Sequence, residues 1–466
     1  MSEEIERIRV KVAEEVSPKA KDRMEIDRVL RKVSSRIKRE AKNRKLQVRV
    51  EAEGSVAKDT WVAKDREIDV FIIFPQKTSG EVVRDVGLKL AKAGAGELWR
   101  LGYAEHPYVE VEINGCKLDI VPSVEIRDGE KPITSVDRTP LHTRFLLDKL
   151  TPKMKKDVRV LKQFMKGVEV YGAELKVGGF SGYLCELLVL NYGSFEGVVR
   201  AAAGWRDKTI IDYMHHYKGG EAGKVFAAPL VIIDPVDRRR NAAAAVTHQS
   251  YSTFIAASRW FLRHPRWDFF FPPKPESTTF SEVSKAIKER GTAVVAIALG
   301  CPNLPSDILW GEIQKSLIRT VDMLDEHSFR VNDYKAWSDE KESVVFLIEV
   351  EGRRVREGWI HMGPKVSFVD EAERFVNKYL DGKNVLAGPY VREDRWYVEL
   401  KRDHTDLKAL IKVGFPLLRL SKDIMTEAKK GFKVFVNDEL ATLCRRREDF
   451  KITLLKFVRK RPVWLR

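Results

Sequence analysis

The segment from Ile68 to Phe74 constrains the fold more than any other part of this sequence, because it is apolar on both faces. A strand of this kind is typical of the interior of a sheet whose two faces are both covered. Glu67 and Asp69 stand at its beginning, and residues two apart on a strand point to the same face. The sequence therefore predicts an inner strand that carries two carboxylates on one face.

A β-hairpin is predicted around Asn114-Gly115, the strongest short signal for a tight turn between two strands. A two-residue turn places Glu112 opposite Lys117, which is a favourable pair. The same register places Glu110 opposite Asp119. Like charges directly across a ladder destabilise it, so we expect a cation or a basic side chain to lie over this pair.

Three carboxylates come together if the hairpin lies beside the first strand, because Asp119 then joins Glu67 and Asp69. Such a cluster can hold two Mg²⁺ ions. Just upstream, the glycine turn at Gly54-Ser55 lets backbone N–H groups and the hydroxyl approach phosphate oxygens, and Lys58 is placed to reach the same anion. The alternative is that the strand acids are solvated and that Asp119 pairs with a lysine. We favour the site because these residues occur together in this order.

The residue patterns divide the chain into three regions, and the predicted fold class combines α/β and α+β domains. Residues 1–145 form a mixed α/β unit that opens with two helices, the second capped at Ser17-Pro18. Residues 146–265 are mostly helical. Prolines exclude regular structure at 264–275, which we interpret as a boundary anchored by aromatic residues. Residues 266–466 show a β-α-β-β order that suits a ferredoxin-like sandwich, followed by a helical tail.

The charge balance favours a polyanionic partner. Lysine and arginine number 84 against 68 aspartates and glutamates, a net charge of +16, and residues 441–466 carry nine basic against two acidic residues. We expect this end to contact an RNA backbone. The four cysteines lack zinc-site or disulfide spacing. A highly charged beginning and the lack of a long apolar run predict a soluble, cytoplasmic protein without a membrane span, and the abundance of charge leans toward a thermophile.

The residues around the predicted site resemble those of a known family. Gly54-Ser55, followed after eleven residues by Glu67-Ile68-Asp69, resembles the signature of the nucleotidyltransferase superfamily that includes poly(A) polymerases. Five further motifs are similar to those of the archaeal, class I CCA-adding enzymes: Glu105-His106-Pro107-Tyr108, Ser135-Val136-Asp137-Arg138-Thr139-Pro140-Leu141-His142, Tyr171-Gly172-Ala173-Glu174, Gly179-Phe180-Ser181-Gly182-Tyr183, and Asp234-Pro235-Val236-Asp237 with Arg240-Asn241.

The resemblance implies an enzyme that builds or repairs the 3′-terminal CCA of tRNA from CTP and ATP without a template. It implies a nucleotidyltransferase head with a mixed β-sheet, a helical central domain that binds the nucleotide, and a ferredoxin-like body and helical tail that bind the acceptor and T arms of tRNA. The catalytic metal ligands would be Glu67, Asp69 and Asp119, holding two Mg²⁺ ions. The resemblance is also compatible with a homodimer.

Six residues would contact the incoming nucleotide by the same resemblance. Five would bind the nucleotide and the sixth would face its base: Ser55, Lys58, His142, Lys162 and Tyr171, with Arg240 at the base. Members of the family carry arginine where this sequence has Lys58. A lysine still binds phosphate, but as a point charge instead of a planar fork.

Each of these residues also has a plainer interpretation. His142 could be a surface histidine, the Lys162 amine could reach solvent from a helix edge, and Tyr171 could pack in the core. Arg240 could belong to a solvated basic run, although it precedes Asn241, which we expect to cap a long helix. Two other functions stay open: a template-independent poly(A) or oligoadenylate polymerase, and a non-catalytic RNA-binding protein. The three intact acids argue against the second of these.

Overall fold

The computed structural model describes residues 2–103, 107–126, 137–219, 221–273, 279–445 and 447–465. It divides into two compact units, one formed by Met1–Lys274 with Pro462–Arg466 and the other by Pro275–Arg461. Four residues of the motifs quoted above lie outside the described residues: Glu105, His106, Ser135 and Val136. A search of those described ranges finds no helix that is both long enough and apolar enough to cross a membrane.

The first half of the first unit is a five-stranded mixed sheet with α2 and α4 contributing to its core. Its elements are α1 (Ser2–Val16), α2 (Ala20–Asn43), β1 (Arg49–Glu53), α3 (Gly54–Ala57), β2 (Glu67–Phe74), α4 (Gly80–Ala95), β3 (Trp99–Tyr103), β4 (Pro107–Ile113) and β5 (Cys116–Val124). The strand order is β1-β2-β5-β4-β3. The β2–β5 pair is parallel and the other neighbouring pairs are antiparallel. The apolar strand β2 lies inside the sheet, as its pattern predicts.

The second helix starts later than its pattern predicts, so the expected cap at Ser17-Pro18 is wrong. Lys19 is the N-cap of α2, and its backbone N–H donates to the Asp22 carboxylate at 2.9 Å. An acid three residues into the helix satisfies a backbone donor that has no partner within the helix. Ser17 and Pro18 form the link between α1 and α2.

The second half of the first unit combines helices with a small sheet that the residue patterns do not reveal. Its elements are α5 (Arg138–Lys149), α6 (Pro152–Gly167), α7 (Gly182–Tyr192), α8 (Phe195–Ala203), β6 (Thr209–Ile211), α9 (Glu221–Val225), β7 (Leu230–Asp234), β8 (Asp237–Asn241), α10 (His248–Arg263) and a 3-10 turn (Trp267–Phe269). Strand β7 lies between β6, to which it is parallel, and β8, to which it is antiparallel. Strands of three to five residues are too short to show a clear alternation.

Asn241 is a bridging residue, and the expectation that it caps a long helix is wrong. It ends β8, whereas α10 begins after Thr247, whose hydroxyl accepts from the Ser250 backbone N–H. The buried Asn241 amide bonds three backbone groups, accepting from Ile232 and Ala243 and donating to the Leu230 carbonyl, each within 3.0 Å. Its side chain therefore ties β7 to the segment that follows β8.

Phenylalanine rings fill the core of this half. The ring of Phe164 stacks on that of Phe269 with centroids 5.9 Å apart, and it contacts Phe270 edge-on. Gln163 donates to the Phe270 carbonyl at 2.7 Å. The ring of Trp464, which is near the end of the chain, also stacks on the ring of Phe269. The aromatic stretch predicted as a boundary is therefore packed into the first unit.

The second unit is built on a four-stranded antiparallel sheet. Its elements are α11 (Phe280–Arg290), β9 (Ala293–Gly300), α12 (Ser306–Glu326), β10 (Val331–Ser338), β11 (Ser343–Val350), β12 (Gly358–Lys365), α13 (Val369–Tyr379), β13 (Val385–Arg392), β14 (Arg395–Lys401), α14 (Leu407–Gly414), a 3-10 turn (Phe415–Leu417), α15 (Lys422–Lys430), β15 (Phe432–Val436), a 3-10 turn (Asn437–Leu440), α16 (Ala441–Cys444) and α17 (Glu448–Arg459). The order β10-β11-β9-β15 places the first and third strands in the middle. With α12 after β9 and helices before β15, this is the predicted ferredoxin-like sandwich. A separate sheet, β12-β14-β13, is inserted between β11 and β15.

The basic end of the chain contributes to the core of the second unit. Helix α17 buries Phe450, Leu454 and Val458 among other side chains. The Lys460 amine lies 2.8 Å from the Glu349 carboxylate, and the Arg447 guanidinium pairs with Asp339. Part of the positive charge predicted to contact RNA is therefore engaged within the unit.

Replacing Asn241 with alanine tests its bridging role. We expect Asn241→Ala to lower the free energy of unfolding by about 2–4 kcal/mol, because three buried backbone groups lose a partner. The comparison variant is Thr247→Ala, which removes a true N-cap and costs about 1 kcal/mol. Urea denaturation of both variants measures the difference. Equal losses would show that the three hydrogen bonds of Asn241 contribute no more stability than one helix cap.

Candidate active site

One cavity of about 990 Å³ in the first unit collects all nine predicted site residues. The acids come from β2 and β5, whereas the cations come from the end of α3, from α5 and α6, and from β8. The nine lining residues are Ser55, Lys58, Glu67, Asp69, Asp119, His142, Lys162, Tyr171 and Arg240. Residues spread over most of the first unit's sequence thus meet at one place.

A row of acids crosses the sheet at the mouth of this cavity. Asp69 on β2 is the parallel register partner of Asp119 on β5, and Glu110 on β4 lies opposite Asp119 on the other side. The hairpin register predicted from the turn is therefore confirmed. Arg100 on β3 pairs with Glu110 through an Nε–Oε2 contact of 2.5 Å. This is the basic side chain that we expect beside two like charges.

Burial and neighbouring charges raise the pKa values of Asp69 and Asp119. Burial, opposed by Lys58 and reinforced by Glu67, raises the pKa of Asp69 to about 6. Burial and the charges of Asp69 and Glu110 raise the pKa of Asp119 to about 7. Both shifts mean that the cluster gains stability from a cation, and carboxylate oxygens are the ligands that Mg²⁺ prefers. No three His, Cys, Asp or Glu side chains in the described parts of the chain stand as a preformed metal site, so the fit rests on the chemistry of these donors.

Gly54 allows the turn at α3 to pack directly on Asp69. Its backbone is left-handed, with φ +64°, and a Cβ built there would lie 1.9 Å from Asp69 Oδ2. Any side chain would displace the carboxylate, so glycine is required for this close approach. The half-buried Ser55 follows at once and lines the cavity beside the acids.

Glu186 on α7 is a buried anion that holds two of the predicted lysines. The Lys58 amine lies 2.5 Å from Glu186 Oε2, and both side chains are almost completely buried. The hydroxyl of Thr60 donates to the other carboxylate oxygen. The Lys162 amine lies 4.0 Å from that oxygen and donates to the Thr60 carbonyl at 3.0 Å. Lys162 is thus an inner residue of the cavity wall and not an amine reaching solvent.

Asp234, at the end of β7, holds His142 and Arg240 on the other part of the wall. Its Oδ2 atom lies 2.9 Å from His142 Nε2 and 2.6 Å from Arg240 Nη1. Its Oδ1 atom accepts from the Tyr183 hydroxyl at 3.1 Å. The His142 ring stacks on Tyr183 with centroids 4.0 Å apart, so His142 is not a free surface histidine.

Tyr171 lines the cavity near the start of α7. Burial raises its pKa well above the ordinary value, so its hydroxyl keeps its proton. The Lys166 amine lies 5.0 Å from the centre of its ring. A Cβ on Gly182 would lie 3.2 Å from the tyrosine oxygen, so the start of α7 is close to this hydroxyl.

Comparison with known proteins gives matches in the order of the chain. Three family models cover a nucleotidyltransferase domain over residues 30–142, the second domain of tRNA nucleotidyltransferase over 156–271, and the C-terminal domain of CCA-adding enzyme over 290–437. The CCA-adding enzyme of Methanothermobacter thermautotrophicus is 39% identical over 396 residues, which are 83% of this chain and 84% of the relative.

Two further relatives extend the match. The CCA-adding enzyme of Pyrobaculum islandicum is 38% identical over 399 residues, covering 85% of this chain and 90% of the relative. That of Methanosarcina mazei is 33% identical over 458 residues, covering 97% and 98%. This chain belongs to the CCA-adding enzyme family. The family and the nucleotidyltransferase fold predicted from the motifs are thereby confirmed.

Two site residues of this family member were missed by sequence reasoning. Glu186 had a usable signal, because it is the one acid in the apolar segment Leu184–Leu190 of α7. Asp234 was noticed only as part of a motif. Asp234 ends a buried strand and lies four residues before the basic run that starts at Arg238, and this position is the signal that could have singled it out.

Loss of the Glu186 charge is expected to destabilise the first unit. Glu186→Gln leaves the Lys58 ammonium buried without an anion, which costs about 3–5 kcal/mol. The matched control is Glu196→Gln on α8, which breaks an exposed ion pair with Arg200 and costs less than about 1 kcal/mol. Urea unfolding monitored by fluorescence compares the two. A small effect of both substitutions would contradict the buried pair.

Proposed function

We propose that this chain adds the 3′-terminal CCA to tRNA, taking CTP and ATP and releasing pyrophosphate. One observation carries the proposal: Asp69 lies directly beside Asp119 in a cavity that is also lined by the basic side chains of Lys58, His142, Lys162 and Arg240. Paired acids that bind metal and cations that bind a triphosphate are the two requirements of nucleotidyl transfer. Membership of the CCA-adding enzyme family supports tRNA as the acceptor.

Glu67, Asp69 and Asp119 would hold two Mg²⁺ ions. When bound, Mg²⁺ neutralises the charge of the triphosphate and makes the 3′-hydroxyl of the tRNA more acidic. The 3′-oxygen attacks the α-phosphorus in line, the new ester bond forms, and pyrophosphate leaves with the electrons of the broken anhydride bond. The protein contributes position and charge, and no side-chain nucleophile is needed.

The cationic wall would bind and orient the nucleotide. The Lys58 and Lys162 amines and the Ser55 hydroxyl donate to phosphate oxygens, with Tyr171 and His142 beside them. Because both amines are already held near Glu186, little side-chain freedom is lost when the triphosphate binds. The wall is thus arranged before the substrate arrives.

Arg240 would read the base. CTP and ATP each present a ring nitrogen acceptor next to an exocyclic amine, whereas UTP and GTP present an N–H and a carbonyl there. A guanidinium only donates, so it matches the ring acceptor of C and A and opposes the N–H of U and G. An RNA phosphate oxygen would accept from the amine. Each mismatch leaves buried polar groups unpaired, at about 1–3 kcal/mol.

The parts of the chain would share the work. Residues 1–145 form the catalytic head, residues 146–265 hold the nucleotide, and residues 266–466 bind the acceptor and T arms of tRNA. The exposed Arg445 is one basic residue near the end of the chain that could meet an RNA phosphate. A cytoplasmic location and a homodimer complete the proposal.

Nucleotide addition to tRNA that lacks its 3′ end tests the function. The protein is incubated with this tRNA, Mg²⁺ and each nucleoside triphosphate in turn. We expect incorporation from CTP, and then a single AMP once two cytidines are present. An open-ended tract of adenosine would instead identify a poly(A) polymerase, and RNA binding without addition would identify a non-catalytic protein.

Substitution of the paired acids tests the catalytic assignment. Asp69→Asn and Asp119→Asn each remove a metal ligand, so we expect nucleotide addition to fall by about a thousandfold or more while tRNA binding persists. The control is Glu125→Gln, just after β5, which only breaks a surface pair with Arg49. Wild-type turnover of either asparagine variant at saturating Mg²⁺ would refute the assignment.

A further inference from the structure

Asp234 lies behind the cavity wall and not on it. Its side chain is completely buried and does not line the cavity, whereas His142, Tyr183 and Arg240 do. Four groups lie within hydrogen-bond distance of its two oxygens, those three side chains and the backbone N–H of Val236 at 3.1 Å. A carboxylate only accepts, so the His142 ring donates its Nε2 hydrogen here. One carboxylate therefore connects three separate parts of the wall.

The surroundings of Asp234 favour its charged form. Burial alone would raise its pKa, but the hydrogen bond from His142 and the charges of His142 and Arg240 lower it to about 2. It is thus an anion at all ordinary pH values. Every partner can donate a hydrogen to it and only an anion accepts from all of them at once.

We propose that Asp234 is a positioning residue that determines nucleotide specificity, because it holds Arg240 and His142 in one geometry. This inference rests on the proposed function, in which Arg240 faces the base and His142 contacts the nucleotide. Holding both side chains on one oxygen, Oδ2, couples the reading of the base to the binding of the rest of the nucleotide. An incorrect base that displaces Arg240 then also disturbs His142.

An asparagine at this position cannot replace the aspartate. Its amide would turn an N–H toward at least one of the four donors, and its oxygen lacks the charge that holds a guanidinium. Arg240 is one-third exposed, so it would swing away from the wall more readily than the buried His142. We therefore expect Asp234→Asn to affect the choice of base more than the maximal rate.

The first test measures specificity. For tRNA lacking its CCA end, we expect Asp234→Asn to lower the ratio of kcat/KM for CTP over UTP by about tenfold or more, with a larger rise in KM than fall in kcat. The matched control is Asp212→Asn just after β6, where the carboxylate accepts from the Tyr217 backbone N–H and does not line the cavity. The control is expected to keep the wild-type ratio. An unchanged ratio in folded Asp234→Asn overturns the specificity role.

A second variant keeps the proposal testable if Asp234→Asn does not fold. Tyr183→Phe removes one of the four hydrogen bonds and keeps the ring that stacks on His142. We expect a smaller loss of CTP over UTP discrimination, about two- to fivefold. Full wild-type discrimination in this variant would count against the proposal.

A direct measurement separates positioning from activity. In the protein labelled with ¹⁵N-histidine, the Nε2 proton of His142 is held by Asp234 and buried, so we expect a slowly exchanging ring resonance that is absent from His142→Gln. Asp234→Asn should shift or abolish it, and Asp212→Asn should not. An unchanged resonance in Asp234→Asn overturns the positioning role. If wild-type protein adds neither CMP nor AMP, the proposed function fails and the specificity claim with it, whereas a shifted resonance still supports the positioning.

Discussion

Backbone hydrogen bonds between β2 and β5 hold two carboxylates, those of Asp69 and Asp119, side by side in the sheet. Asp69 and Asp119 occupy the same register position of the parallel pair β2–β5. Burial raises the pKa of both, with Glu67 adding to the rise at Asp69 and the charge of Asp69 adding to the rise at Asp119. The apolar remainder of the two strands offsets this repulsion, because Val70–Phe74 and Ile120–Val124 are buried on both faces. The buried apolar residues of β2 and β5 therefore hold the sheet together, although the carboxylates of Asp69 and Asp119 at one end of these strands are electrostatically unfavourable.

The basic side chains of the same cavity are held by buried carboxylates. Glu186 and Asp234, each completely buried, accept hydrogen bonds from side chains that line the cavity. Without these anions, the charges of Lys58, Lys162 and Arg240 would repel one another across the cavity. Glu186 in the cavity wall and Asp234 behind it offset this repulsion and leave the basic side chains at the surface of the cavity. The same lysines also act on the acids of the sheet, because the charges of Lys58 and Lys162 oppose the rise in the pKa of Asp69.

Local sequence patterns predict the acids of the sheet. They do not predict Glu186 and Asp234, the buried anions that hold the basic side chains. The turn at Asn114-Gly115 gave the pairing of Glu110 with Asp119 correctly, because a two-residue turn determines every pair along its hairpin. Glu186 meets Lys58 across 128 positions of sequence, and Asp234 meets His142 across 92. No short pattern encodes such contacts, since they depend on how helices and sheet pack. The error at Asn241 has a related cause, because asparagine serves equally well as a helix cap and as a buried bridge between backbone groups.

The buried anchors also set how tightly a nucleotide can bind. On the proposed function, a triphosphate that reaches Lys58 must share its amine with Glu186, because the two already lie 2.5 Å apart. The free energy gained on binding is then the difference between the pair of Lys58 with phosphate and the existing pair of Lys58 with Glu186. It is not the full energy of a new ion pair. Affinity for the substrate is moderated in this way, and so is affinity for pyrophosphate, which must leave after each addition. A compact ammonium suits this exchange better than a planar guanidinium, because it presents three hydrogens around one charge and can bond the carboxylate and the phosphate together.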